Sequence, residues 1–238
     1  MKLYTTERYG NTHADLCFIM AYLSGTQVEE VNVTLEEFKT LPVAQKVLTP
    51  QLPALELDDG TTLTSSLAIA KFLASAKPDL LGSTLFEEAQ IDQWLQVLRN
   101  ETQPIARVIN YQVYGHLPAD QNEHNYIYNL LKDNLKLINN NLKAKSHFVG
   151  NHLTIVDIYF TLIQLELQQA TMDTNFRNSM SNLNNHFKTI IALPEFRSRM
   201  GAVKQGKKQL IPLFDKDAGS KDLNKAQKKE NSKQKAKQ

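Results

Sequence analysis

Between Gln51 and Leu73 the chain runs through a proline, a strand-like stretch, an acidic turn, a second strand-like stretch and a helical pattern. Pro53 opens Ala54-Leu55-Glu56-Leu57, whose length and alternation are those of a strand. A proline at that point cannot donate to a ladder, so it must be an edge residue, a first residue or part of a special peptide bond. Asp58-Asp59-Gly60 is a turn signal, because glycine accepts positive φ and aspartate bonds its own backbone. Thr61 to Thr64 returns as the second strand. Thr64 or Ser65 then caps a helix whose apolar side is Leu67, Ile69, Ala70, Phe72 and Leu73. Pattern alone therefore gives a hairpin that hands directly to a helix.

Upstream, Lys2 to Thr5 is β-compatible, and Thr12-His13-Ala14-Asp15 opens a helix with Thr12 as its expected cap. Its core face is expected at Leu16, Ile19, Met20 and Leu23, and Ser24-Gly25 ends it. Val28 to Thr34 alternates as a further strand. Strand, helix, strand, hairpin and helix make a βαβ–ββα plan that resembles a thioredoxin-like domain. It is expected over residues 1–76, followed by a linker over 77–84 with Pro78 and Gly82 as helix breakers.

Residues 85–214 are helical in period and are expected to form an all-α domain. Ile91, Trp94, Leu95 and Leu98 mark one face of a long helix with a kink expected at Pro104. Residues 122–145 carry Tyr126, Leu130, Leu131, Leu135, Leu137, Ile138 and Leu142 on a second helix, and the two should pack antiparallel. Thr154, followed three residues later by Asp157, is a capping-box signature ahead of a helix expected to be buried nearly all round. Pro194 marks another helix start. Residues 215–238 are lysine-rich with almost nothing apolar, the composition of a disordered tail.

The overall charge of +2 hides an asymmetry. Eight lysines against three acids give residues 216–238 a net +5, which leaves the preceding 215 residues at −3. A nucleic-acid-binding fold normally shows the reverse. The single cysteine, Cys17, excludes an internal disulfide and a cysteine-rich metal site. The six histidines show no ligand spacing, so no metal is expected. Met1 to Glu7 has no leader pattern, and no apolar run approaches the roughly 18 residues that span a bilayer. These features point to the cytoplasm and away from membranes.

Ser65-Ser66-Leu67-Ala68-Ile69 matches the Glu/Gln-Ser-x-Ala-Ile pattern of the glutathione transferase family, and Pro53 falls where that family has a cis proline. The chain thus resembles a glutathione transferase fold, a thioredoxin-like α/β domain followed by an all-helical one. That resemblance implies a glutathione site at Leu52, Pro53, Ser65 and Ser66, with glutathione as the ligand to consider and no other cofactor. Two departures bear on it: Ser65 replaces the acid or amide, and Pro50-Gln51-Leu52-Pro53 lacks the pattern's glycine. Capping of the helix by Ser65 and Ser66 is the competing reading. A transferase also needs a hydroxyl or thiol to stabilise the tripeptide thiolate. The slot falls on Asn11 or Thr12; Thr12 is the candidate, and capping explains it equally well. Tyr4 and Tyr9 are further candidates whose other reading is packing. Cys17 reads as a small buried hydrophobe.

The helical half narrows the resemblance. It rests on Gly82-Ser83-Thr84, Ala89 to Trp94, and Phe148-Val149-Gly150 with Leu153 to Ile158. More specific are Asn175-Phe176-Arg177, Asn182 to Phe187, and Pro194-Glu195-Phe196-Arg197 through Gly201-Ala202-Val203-Lys204. These are similar to the elongation factor 1-gamma family over about residues 1–213. That family continues beyond its basic linker into a further domain, whereas this sequence stops at Gln238. The resemblance implies a scaffold in the translation elongation factor 1 complex, partnered by its guanine-nucleotide exchange subunit. Aminoacyl-tRNA synthetases, a second copy of the chain, and RNA or ribosomes met through the basic tail are the other partners it admits. The alternative is an active glutathione transferase.

Overall fold

The computed structural model describes residues 1–6 and 11–214; Tyr9 and the lysine-rich tail lie outside the described residues. The first part runs β1 (Lys2–Thr5), α1 (Thr12–Ser24), β2 (Glu29–Asn32), α2 (Leu35–Thr40), β3 (Ala54–Glu56), β4 (Thr62–Thr64) and α3 (Ser66–Ala74). The strands form one mixed sheet in the order β2-β1-β3-β4, with β1 parallel to β2 and both other pairings antiparallel. Alternation along the strands divides the side chains between two cores. Leu3 and Leu55 join α1 and α3 in the main core, while Tyr4 and Ala54 face Phe38 of α2 with Val43 and Ala44.

Four local expectations change. α1 is capped by Asn11, whose Oδ1 accepts from the Ala14 N–H at 3.2 Å, and not by Thr12. The helix is also buried on every side from Ala14 to Ala21, because it lies among α3, α7 (Ile155–Ala170) and α10 (Pro194–Met200). Gly25, at φ 74°, ends it as anticipated. The strand expected to reach Thr34 stops at Asn32. Thr34 instead starts α2 through a capping box: its hydroxyl accepts from Glu37 N at 3.1 Å and its own N–H donates to Glu37 Oε2 at 2.7 Å. On α3 the buried residues are Ile69, Ala70, Leu73 and Ala74, and Phe72, expected on the apolar side, is exposed.

The helical part continues with α4 (Leu85–Val97), a π-helical turn (Leu98–Thr102), α5 (Gln103–Val113), α6 (Gln121–Asn141), α7, α8 (Thr174–Ser179), α9 (Ser181–Ile191) and α10. Pro104 cannot donate to the carbonyl four residues back and its ring crowds it. The chain absorbs this in the π turn just before the proline. α5 and α6 run antiparallel, since Thr102 bonds Asn134 at 2.9 Å and Gln112 meets His124 at 2.7 Å. On α6, Leu131, Leu135, Ile138 and Leu142 are buried, whereas Tyr126, Leu130 and Leu137 are exposed. α7 is the axis of this half and buries nearly all its length. Among the described residues no helix is long and apolar enough to cross a membrane.

Candidate functional site

A cleft of about 510 Å³ opens between the β4–α3 junction and the helix formed by the π turn and α5. On one side the cis Leu52–Pro53 peptide enters β3. Ser65 holds the N-cap position of α3 at φ 75°, in the left-handed region that favours glycine, and its side chain makes no capping bond. Its Oγ instead faces Arg99 Nη1 at 3.5 Å. Ser66 Oγ lies 3.1 Å from His13 Nδ1, and His13 Nε2 lies 3.1 Å from Arg107 Nη2. A guanidinium only donates, so Nε2 accepts and the imidazole is neutral, with its proton on Nδ1 directed at Ser66. Burial lowers the His13 pKa, and the charges of Arg107 and Arg99 lower it further. With Ser66 Oγ accepting from His13, its own hydrogen is left for the cleft. Tyr159 closes the far end; its hydroxyl donates to Gln103 Oε1 at 2.8 Å, and burial pushes its pKa up to about 12.

The structure brings Leu52, Pro53, Ser65 and Ser66 together in this cleft and puts Thr12 elsewhere. The Thr12 hydroxyl donates to Glu166 Oε1 at 3.2 Å, in a second depression of about 470 Å³ that Asp15, Glu166 and Arg199 also line. Burial raises the Glu166 pKa, countered by bonds from Thr12 and Asn110 and by the Arg107 charge. Asn11 is equally committed: its amide donates to the hydroxyls of Thr5 and Thr6, both at 2.9 Å. Tyr4 sits on the α2 side of the sheet, where its hydroxyl donates to Glu56 at 2.8 Å; burial, then that carboxylate, raise its pKa to about 12. Cys17 is buried, its thiol directed at the carbonyls of His13 and Ser66, and burial pushes its pKa up. A raised pKa is the opposite of what a nucleophilic thiol needs.

Sequence reasoning passed over His13, Arg99 and Arg107 as site residues. The signal available was the polar series Arg99, Gln103 and Arg107, spaced four residues apart on one helical face. Among the described residues no group of three potential metal ligands occurs.

Thr154 and Asp157 serve the fold. Asp157 Oδ2 accepts from Thr154 N at 2.8 Å and Thr154 Oγ1 at 2.9 Å, and Oδ1 accepts from Phe148 N at 3.1 Å. His186 Nε2 adds a fourth contact at 2.8 Å. The series from Phe176 to Lys204 is likewise structural. Arg177 donates to the carbonyls of Met172 and Gly206, fixing the segment after α10 against α7. Gly206 approaches so closely that a Cβ there would lie 2.8 Å from the Gln169 carbonyl oxygen. Arg199 Nε donates to Asp15 at 2.6 Å, and its two Nη groups grip Glu30 at 2.8 and 3.0 Å, joining α10 to α1 and β2.

Comparison with known proteins agrees with this architecture. The family model of the glutathione S-transferase N-terminal domain matches residues 8–81, and that of the C-terminal domain matches residues 114–194. Elongation factor 1-gamma 1 of Oryza sativa subsp. japonica is 29 % identical over 221 residues, covering 89 % of this chain and 51 % of the relative. Elongation factor 1-gamma of Mus musculus is 28 % identical over 205 residues, covering 82 % of this chain and 45 % of the relative. The chain spans about half the length of the curated relatives it matches. The crystal structure of the GST-like domain of elongation factor 1-gamma from Saccharomyces cerevisiae superposes with a TM-score of 0.78 at 18 % identity, covering 89 % of this chain and 98 % of that one. With both transferase domains matched in order, the chain belongs to the glutathione S-transferase family, and over most of its length it is similar to relatives named elongation factor 1-gamma.

Proposed function

We propose that the protein works in translation elongation as a non-catalytic scaffold of the elongation factor 1 complex, anchoring its guanine-nucleotide exchange subunit in the cytoplasm. The observation that carries this reading is the similarity to relatives named elongation factor 1-gamma over most of the chain. The site chemistry supports it. The two residues in the slot for a thiolate-stabilising group already spend their hydrogen bonds on protein partners, Thr12 on Glu166 and Asn11 on Thr5 and Thr6. A hydroxyl donating to a carboxylate is not available to a thiolate. The test is affinity purification of the tagged chain from its own cells, with partners quantified by mass spectrometry. Stoichiometric recovery of the exchange subunit is expected, and recovery of the chain alone or only with itself would overturn the reading. The same experiment registers aminoacyl-tRNA synthetases as further partners.

A second reading, a glutathione transferase, is favoured by one observation: Ser65 and Ser66 face the cleft beside the cis Leu52–Pro53 peptide, with the Ser65 side chain unspent on the helix. It requires conjugation of glutathione to a chromogenic electrophile well above the uncatalysed rate, and loss of that turnover in Ser66→Ala. Turnover that survives Ser66→Ala would refute this assignment.

A further inference from the structure

The cleft carries an uneven charge. Arg99 arises from the π turn and Arg107 from α5, yet both guanidiniums turn toward the adjacent serines, one at Ser65 and the other through His13 at Ser66. Among the described residues neither guanidinium forms an ion pair, and no residue lining the cleft is a carboxylate. The acid that feels Arg107 is Glu166, whose two oxygens take bonds from Thr12 and Asn110 in the neighbouring depression. Both guanidiniums are exposed, so solvent screens much of their mutual repulsion, and both remain charged donors that an anion in the cleft can use.

The remaining polar groups also present donors. Ser66 accepts from His13 and so turns its hydrogen outward. Gln103 accepts from Tyr159 at its Oε1, which leaves its amide hydrogens as the unspent end. An ammonium group, by contrast, would find no carboxylate among the described residues that line the cleft. At position 65, Ser65 stands beside Arg99, so a cation there would meet a cation. The volume of about 510 Å³ is that of a small-molecule pocket. Guanidinium forks match carboxylate and phosphate geometry.

We infer that the cleft binds a small organic dianion lacking an ammonium group, a phosphate ester or a dicarboxylate, held by Arg99, Arg107 and Ser66. This stands on the cleft alone and does not depend on whether the chain scaffolds an elongation factor complex.

The test is calorimetric titration of the full chain with four probes: phenyl phosphate, glutarate, glutamate and glutathione. Glutarate and glutamate differ only in the ammonium group, so their ratio reads its cost directly. At least one of phenyl phosphate and glutarate should saturate, and more tightly than glutamate or glutathione. Which of the two wins identifies phosphate or carboxylate as the source of the charge. Arg99→Gln and Arg107→Gln should each weaken that binding about tenfold or more, the loss expected when one charge-assisted hydrogen bond is removed. Both arginines are exposed, so the variants should keep the parent unfolding midpoint. Failure of both dianions to saturate, tighter binding of glutamate or glutathione, or binding unchanged in the double variant would each overturn the inference.

Discussion

Two helix starts in this molecule use the same kinds of residue to opposite ends. At α7, Thr154 is followed at the third helical position by Asp157, which turns back and accepts from Phe148, both polar groups of Thr154, and His186. All of it is buried, and no part of the carboxylate is left for an outside ligand. At α3, Ser65 takes the cap position, but the third helical residue is Ala68 and no acid folds back. The side chain of Ser65 makes no cap bond, its backbone is held at φ 75°, and both serines face the cleft. One helix start is spent on holding the fold; the other is kept out of the fold's service. The two starts differ in the residue three positions on, Asp157 against Ala68, and in the backbone of the cap, extended at Thr154 and left-handed at Ser65.

Substitutions can break that comparison. Asp157→Ala should have the largest effect, about 3–5 kcal/mol of stability by urea unfolding, because it strands several buried donors. A loss below that of Thr154→Ala would show that the carboxylate is not the hub. Arg199→Met should follow at about 3 kcal/mol, since it leaves buried Asp15 without its guanidinium; an unchanged midpoint would mean that the contact between α10 and α1 holds without it. Thr154→Ala should cost about 1 kcal/mol, the usual value for a lost cap. At the other helix start the sign reverses. Ser65→Gly should raise stability by up to about 1 kcal/mol by relieving the positive φ. A loss there would mean that Ser65 supports the fold after all, and the contrast would fall.

Much of the fold was legible because its signals are local. Turn chemistry at Asp59-Gly60, the Thr154–Asp157 spacing and Gly25 at the end of α1 are read within a few residues. Thr34 to Glu37 carried the same capping signal as Thr154 to Asp157, but the alternation leading up to it reads as a strand. The amphipathic reading of α1 failed for a different reason: three helices and the sheet enclose it, and buried Asp15 is made tolerable by Arg199, far along the chain. The residues most diagnostic of family, Phe176 to Lys204, turned out to hold the domains and the terminal segment together instead of forming the cleft.

The sequence by itself determined the hairpin, the order of the strands, both ends of α1, the starts of α3, α7 and α10, and the family, since period, capping and turn preference act between near neighbours. Only the tertiary structure decided that Thr12 serves Glu166 and that His13, Ser66, Arg99 and Arg107 share one cleft. Those side chains come from α1, α3 and the far side of a π turn. No local pattern encodes their meeting, because it is packing of distant elements that sets which hydrogen bonds remain unspent.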